Sequence, residues 1–308
     1  MTLVSLIAAL FLEQWRPVGS RHQVIRLFTG YADILERKFN AGEHRHGTIA
    51  WLLAVAPAVL GAWLVYELLY DVSPVLGWAW NVLVLYLTMG FRQFSHAFTG
   101  IAEALRAGEL NQARMLLGEW RGQTAREYGS SDVARVAIEQ GLIYSHRYVF
   151  GVVAWFVVFP GPAGAVLYRL AEILAERWGG REEPEFGEFG GFSRRAFELI
   201  DWLPARLTAI SFAIVGDFED AIYCWRAQAL SWAQQTQGII LASGAGALGV
   251  RLGEPLRQGG ELQYRPELGI GEEAAPDHMQ STVGLIWRTV VLWLVMILLL
   301  TVASWVGG

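Results

Sequence analysis

The chain has 308 residues, a net charge of −5 at pH 7 and a mean hydropathy of +0.33. Its hydrophobic share is 54% and its charged share 17%, against about 25% charged in an ordinary soluble domain, which excludes such a domain as well as a disordered or collagen-like chain. The acidic balance leaves no electrostatic footprint for nucleic acid, and the single cysteine, Cys224, excludes a disulfide framework and any cysteine-rich metal centre.

In chain order, residues 1–13 are apolar but too short to span a bilayer. They lack a basic n-region, and Glu13-Gln14-Trp15 is no small-residue cleavage site, so they read as a retained partial span or interfacial helix. Residues 48–70 form a span with one late acid, Glu67. Residues 74–90 form a shorter one with aromatic ends suited to the lipid interface. With only Asp71–Ser73 between them, the two make a hairpin. The segment 91–147 reads as helical. Phe94, Phe98, Ile101 and Leu105 keep helical spacing, Gly108 is a stop, 110–120 is a second helix, and Asp132 is placed to N-cap a third.

Residues 148–175 hold two short apolar arms around Pro160-Gly161-Pro162, which is either one kinked span or a re-entrant hairpin. Basic residues gather in 14–47, 91–147 and 176–282. The positive-inside rule places the first two in the cytoplasm, and the re-entrant form, preferred because it puts every basic segment on one side, keeps the third there as well. Residues 179–193 are a glycine-rich acidic loop. Residues 199–216 form a helix interrupted early by Pro204, 218–243 an amphipathic helix, and 244–271, with eight Gly and two Pro, an ordered loop. The clearest span is 283–306, with Arg288 near its start. The expected fold is all-α: a polytopic helical integral membrane protein, one domain over 1–308, with helical cytoplasmic loops.

Few side-chain patterns carry chemistry. Glu43-His44-Arg45-His46 reads as a solvated juxtamembrane loop, because histidines at i and i+2 do not share a helix face, and no metal site is expected. The loop 244–271 offers backbone N–H groups and Arg251, Arg257 and Arg265 to an anion, but it is no P-loop. Glu139, Glu172 and Asp201 flank apolar segments, where an ionisable group is either interfacial or functional.

Several ordered motifs carry a resemblance. Gly108–Gly118 (GELNQARMLLG), Arg121–Thr124 (RGQT), Val136–Glu139 (VAIE), Pro160–Tyr168 (PGPAGAVLY), Trp202–Ala209 (WLPARLTA) and Gly246–Gly271 with Arg265-Pro266-Glu267-Leu268-Gly269 are similar to the CobD/CbiB family of cobalamin-pathway membrane proteins. His22 falls in an early His-Pro-Val region, with Gln23 in the Pro position. The resemblance covers most of the chain.

It implies an adenosylcobinamide-phosphate synthase: ATP-dependent amide formation, with Mg²⁺, between a corrinoid acid and an aminopropanol or its phosphate. It also implies a multi-pass protein of the bacterial cytoplasmic membrane, whose partners are the bilayer, the corrinoid and a second copy or other membrane proteins. On that reading Arg251, Arg265 and Arg206 meet anions, Glu139 does metal or base work, and Thr124 hydrogen-bonds a phosphate. The chain departs from the family where Gly-Arg-Asp-Thr becomes Arg121-Gly122-Gln123-Thr124. It departs again after Glu139, where Ala-Glu-Asn becomes Gln140-Gly141-Leu142, and at Glu172–Ala175. The opening residues, the Leu142–Val158 run and Ile200–Leu207 resemble AmpE, a sister group linked to β-lactamase induction, which implies a non-enzymatic sensor or regulator instead.

Overall fold

The computed structural model describes residues 2–15, 19–40, 43–180 and 188–306. Readings that rest on the side chains of His22, His44 and Phe94, or on 181–187 of the acidic loop, lie outside the described residues. The chain forms two compact units, each discontinuous in sequence: residues 1–90 with 151–204, and 91–150 with 205–308.

The first unit is helical. It holds α1 (Thr2–Trp15), α2 (Gly19–Phe39), α3 (His44–Val72), α4 (Pro74–Thr88), α8 (Gly151–Val158), α9 (Ala163–Gly179) and the first half of α10 (Gly191–Val215). The hairpin expected over 48–90 is present, and its turn is tighter than Asp71–Ser73. Ser73 alone separates the helices: its N–H donates to the Leu69 carbonyl at 2.9 Å and its hydroxyl accepts from Val75 N–H at 3.3 Å. Pro74 at the first helical position fits the fixed φ of proline.

The 148–175 segment resolves into two helices that fold back on each other. A Cβ on Gly151 would collide with the Tyr168 ring, and one on Gly164 with the Trp155 carbonyl. In one continuous helix, residues 17 apart lie about 25 Å apart. The arms are therefore a hairpin rather than one kinked span. Gly161, with φ +59°, supplies the turn.

Among the described residues, three helical runs are long and apolar enough to cross a membrane: Arg45–Val72, Ser130–Val158 and Pro276–Ser304. The first and last match the expected spans. Only 22% and 28% of their most apolar stretches are buried in protein, which leaves large faces for lipid. The middle run differs from the sequence reading. α7 (Ser130–Ser145), a π-helical turn (His146–Phe150) and α8 follow without a break, so residues 130–147 belong to a span-length helix. Its most apolar stretch is 61% buried, so protein packing takes most of its surface.

The second unit contains α5 (Phe91–Arg106), α6 (Leu110–Arg121), α7, the end of α10, α11 (Phe218–Gln228), α12 (Gln235–Leu248), five short strands and α13 (Pro276–Val306). Gly108 ends the α5 segment with φ +76°, as expected. Four local readings change. Asp132 is not the N-cap: Gly129 is, and the Asp132 carboxylate accepts from its N–H at 2.9 Å. α10 starts at Gly191 and continues through Pro204. Residues 218–243 make two packed helices, α11 and α12, with a 3₁₀ turn at Ala229–Ser231. The loop after α12 is shorter and more regular than expected. In it β1 (Val250–Gly253) pairs antiparallel with β4 (Glu267–Leu268) and parallel with β5 (Glu272–Glu273). β2 (Leu256–Gln258) and β3 (Glu261–Gln263) form a hairpin.

Candidate functional site

The second unit is organised around α7, which packs against α5, α6, α12, α13 and β1. Asp132, Arg135 and Glu139 are three and then four residues apart, so they share one helix face. Arg135 and Glu139 are 4% and 5% exposed. Charges this deep are costly unless paired and hydrogen-bonded.

The strand-bearing loop supplies the partners. Arg265 donates to Glu139 through Nη1 to Oε2 at 2.7 Å and Nη2 to Oε1 at 3.0 Å, a bidentate pair. Gly253 N–H donates to the same Oε1 at 2.8 Å. The remaining Arg265 bonds go to backbone, Nη2 to the Gly253 carbonyl at 2.7 Å and Nε to the Glu254 carbonyl at 3.2 Å. Its guanidinium carbon lies 5.6 Å from the Trp232 ring centroid. Four of the five guanidinium N–H groups are thus used, and one on Nη1 is left.

Glu254 links the buried Arg135 guanidinium to the partly buried one of Arg265. Its carbonyl accepts from Arg265, and its carboxylate accepts from Arg135 Nη1. It is the one described non-glycine residue with positive φ, at +61°. That conformation costs about 1–2 kcal/mol, and these charge-assisted bonds offset it. Arg135 Nη2 also donates to Asp132 at 2.6 Å. Gln228 closes the far side of the loop. Its side-chain amide donates to the Gly269 carbonyl at 3.1 Å and accepts from Gly269 N–H at 2.6 Å.

Arg251, on β1, is 3.9 Å from Glu254 and 4.0 Å from Glu267, beyond hydrogen-bond reach. Its Nε is buried without a hydrogen-bond partner among the described residues. Of the expected anion contacts, Arg251 is the one least committed to protein acceptors.

Of the expected site residues, Glu139, Arg251 and Arg265 come together in one loop-on-helix cluster. Thr124 does not join it. It lies in the α6–α7 turn, in a depression of about 680 Å³ shared with Asn111, Arg114, Gln123 and Arg126. The turn and the cluster belong to one connected surface. The β2–β3 hairpin reaches the turn through Gln258 to Gln123 at 3.3 Å and Gly260 N–H to Glu127 at 3.0 Å. Arg206 is on α10, two residues before Thr208, whose hydroxyl is 3.0 Å from His146 Nδ1. It is outside the Arg265 network, and burial lowers its pKa from the ordinary guanidinium value.

The other acids noted from sequence belong to the first unit. Glu172 pairs with Arg169, and Asp201 accepts from the Tyr168 hydroxyl at 2.8 Å. Burial, with the charge of Asp220 adding to it, pushes the Cys224 thiol up to about 11.

Among the described residues no group of three or more His, Cys, Asp or Glu side chains could hold a metal ion. The donor set does not fit a resident metal. A Mg²⁺ carried by nucleotide phosphates needs only one or two carboxylates.

A model for the CobD/Cbib protein family matches residues 6–286. The chain belongs to the CobD/CbiB family. "Cobalamin biosynthesis protein CobD" of Stutzerimonas stutzeri is 36% identical over 299 residues, covering 96% of each chain. The protein of that name from Chromobacterium violaceum is 36% identical, covering 80% of this chain and 77% of its own. "Cobalamin biosynthesis protein CbiB" of Salmonella typhimurium is 25% identical over 78% and 77%. No solved structure matches. Membership of a cobalamin-biosynthesis family gives the cluster on α7 a chemical context, and the span-length helices associate this CobD/CbiB chain with a membrane.

Arg135, Glu254, Gln228 and Trp232 were not singled out by the sequence reading. The spacing of Asp132, Arg135 and Glu139 was a visible signal for the first. Nothing local marks Glu254, whose role depends on a partner 119 positions away.

Proposed function

We propose that the protein joins the propionate carboxyl of adenosylcobyric acid to the amine of aminopropanol or its phosphate, at the cytoplasmic face of the bacterial inner membrane, as a multi-pass protein. Family membership across nearly the whole chain supports the pathway. The observation that carries the site is the bidentate pair between buried Glu139 and partly buried Arg265, which fixes a glycine-rich loop carrying Arg251 against α7.

A carboxylate does not condense with an amine unaided. In the proposed reaction its oxygen takes the γ-phosphoryl group of ATP, releasing ADP. The amine then attacks the acyl carbon, phosphate leaves, and the amine proton passes to solvent. Mg²⁺ enters only as the counter-ion of the nucleotide.

The chain's residues bind and orient the anions. Arg251 meets a substrate carboxylate or phosphate, the remaining Nη1 N–H of Arg265 assists, and Thr124 donates to a phosphate. Glu139 is a positioning residue in this reading, because both its oxygens already accept from Arg265 and Gly253. Arg206 is the weakest of the anion contacts by placement.

The test uses the full chain in detergent with adenosylcobyric acid, aminopropanol phosphate, ATP and Mg²⁺, and detects the amide by mass spectrometry. Product formed by the wild type, and reduced about tenfold or more in Arg251→Ala, supports the reading. Wild type that binds the corrinoid but forms no amide overturns it. One observation favours a non-enzymatic AmpE-like regulator: Gln123, where the family pattern has an acid, is bonded to Gln258 rather than left as a carboxylate.

A further inference from the structure

The cations of the second unit differ in how far they are neutralised. Arg265 is tied to Glu139, Arg135 to Asp132 and Glu254, and Arg251 stands between Glu254 and Glu267. The α6–α7 depression shows the opposite pattern.

Two guanidinium groups line it. Arg114 is pinned by backbone and amide acceptors: Nε donates to the Tyr128 carbonyl at 2.7 Å and Nη1 to Asn111 Oδ1 at 3.2 Å. Neither acceptor carries a charge, so the cation is oriented without being neutralised, and Nη2 keeps both N–H groups. Arg126 is exposed and makes no hydrogen bond or ion pair among the described residues. Thr124 and Gln123 line the same space, and Glu119 is the single acid among the described lining residues. The floor is held in shape. Tyr128 is 1% exposed, its carbonyl orients Arg114, and its hydroxyl accepts from Arg121 Nη1 at 3.2 Å. A volume of about 680 Å³ lies in the range of small-molecule sites.

One oriented guanidinium group, a second that no described acceptor neutralises, and a hydroxyl-bearing residue form a donor set for tetrahedral oxyanions. We propose that this depression binds the phosphoryl group of a small phosphorylated molecule, with Arg126 and Arg114 as the charged contacts. The site adds Arg114 and Arg126 to the Thr124 contact of the proposed reaction and rests on that reading for its ligand class. The phosphoryl group belongs either to a nucleotide or to a phosphorylated amino alcohol.

The experiment measures binding without corrinoid, by calorimetric titration of the full chain in detergent. The probes are ATP with Mg²⁺, aminopropanol phosphate and inorganic phosphate in separate titrations. We expect one of the two organic phosphates to bind more tightly than inorganic phosphate, which identifies the source. Arg126→Ala should weaken that binding about tenfold, and Glu119→Gln should strengthen it, without a change in thermal stability. Arg126 has no partner to lose among the described residues, so the variant folds. No binding of any probe at millimolar concentration, or equal binding by wild type and Arg126→Ala, overturns the proposal. Amide synthesis that Arg126→Ala leaves intact sinks this site while sparing the reaction. Phosphate binding without amide synthesis does the reverse.

Discussion

Glu139→Gln is the sharpest perturbation of the α7 cluster. The carboxylate accepts three hydrogen bonds, two from Arg265 and one from Gly253 N–H. Glutamine keeps one acceptor oxygen, and its NH₂ must then face an Arg265 nitrogen, donor against donor. The charge opposite Arg265 also disappears, and that side chain is 17% exposed. Removing one partner of a buried pair costs about 3–5 kcal/mol. Arg265 keeps the Gly253 and Glu254 carbonyls, which places the expected loss near the lower end, about 3 kcal/mol. In a unit of this size that lowers the melting temperature by roughly 6–12 °C. The assay is thermal unfolding of the detergent-solubilised chain, followed by circular dichroism. Arg265→Gln alone should also destabilise, because it leaves Glu139 charged and buried. The double variant should be more stable than the sum of the singles by about 1.5 kcal/mol or more, the signature of a direct charge pair. A loss under about 1 kcal/mol for Glu139→Gln, or strict additivity of the double variant, would refute this account of the cluster.

Three further outcomes are expected. Arg135→Ala leaves Glu254 and Asp132 without their shared cation. We expect a loss of about 2 kcal/mol, reduced by the partial exposure of both acids, and faster tryptic cleavage at Arg257 and Arg265; an unchanged cleavage rate would count against Arg135 as the loop's anchor. Gly253→Ala puts a Cβ into the Pro266 carbonyl at a φ of +73°, so a loss of about 2–4 kcal/mol should appear in denaturant unfolding, and a neutral substitution would contradict the β1–β4 register. Cys224 should resist maleimide at pH 8 in the native protein and react on unfolding. Because its folded-state pKa of about 11 lies above the unfolded value, its stabilising effect is complete below about pH 8.5 and is lost as pH rises towards 11; Cys224→Ala should flatten that part of the stability profile.

Hydropathy made the span-length helices at 45–72 and 276–304 legible, because contact with lipid demands a long apolar run whatever the neighbours are. The punctuation at Gly108, Ser73-Pro74 and Pro160-Gly161-Pro162 was legible too, since these residues limit local backbone geometry. The run at 130–158 was harder to read. Buried partners on several sides let it carry Asp132, Arg135 and Glu139, so its sequence looks like a polar segment joined to an apolar one. The strands of 250–273 were not readable, being two to four residues long and held by pairing across the loop.

The sequence by itself determined the class of this protein and its family, because composition, apolar run length and ordered motifs are local quantities summed along the chain. Tertiary structure alone decided which charges meet. Glu139 and Arg265 are 126 positions apart, and Arg135 and Glu254 are 119 apart. A buried ion pair forms only when folding removes water from both partners at once, and no local pattern records that. Thr124 shows the converse: it was chosen beside Glu139 from the sequence, yet packing set it in a different depression.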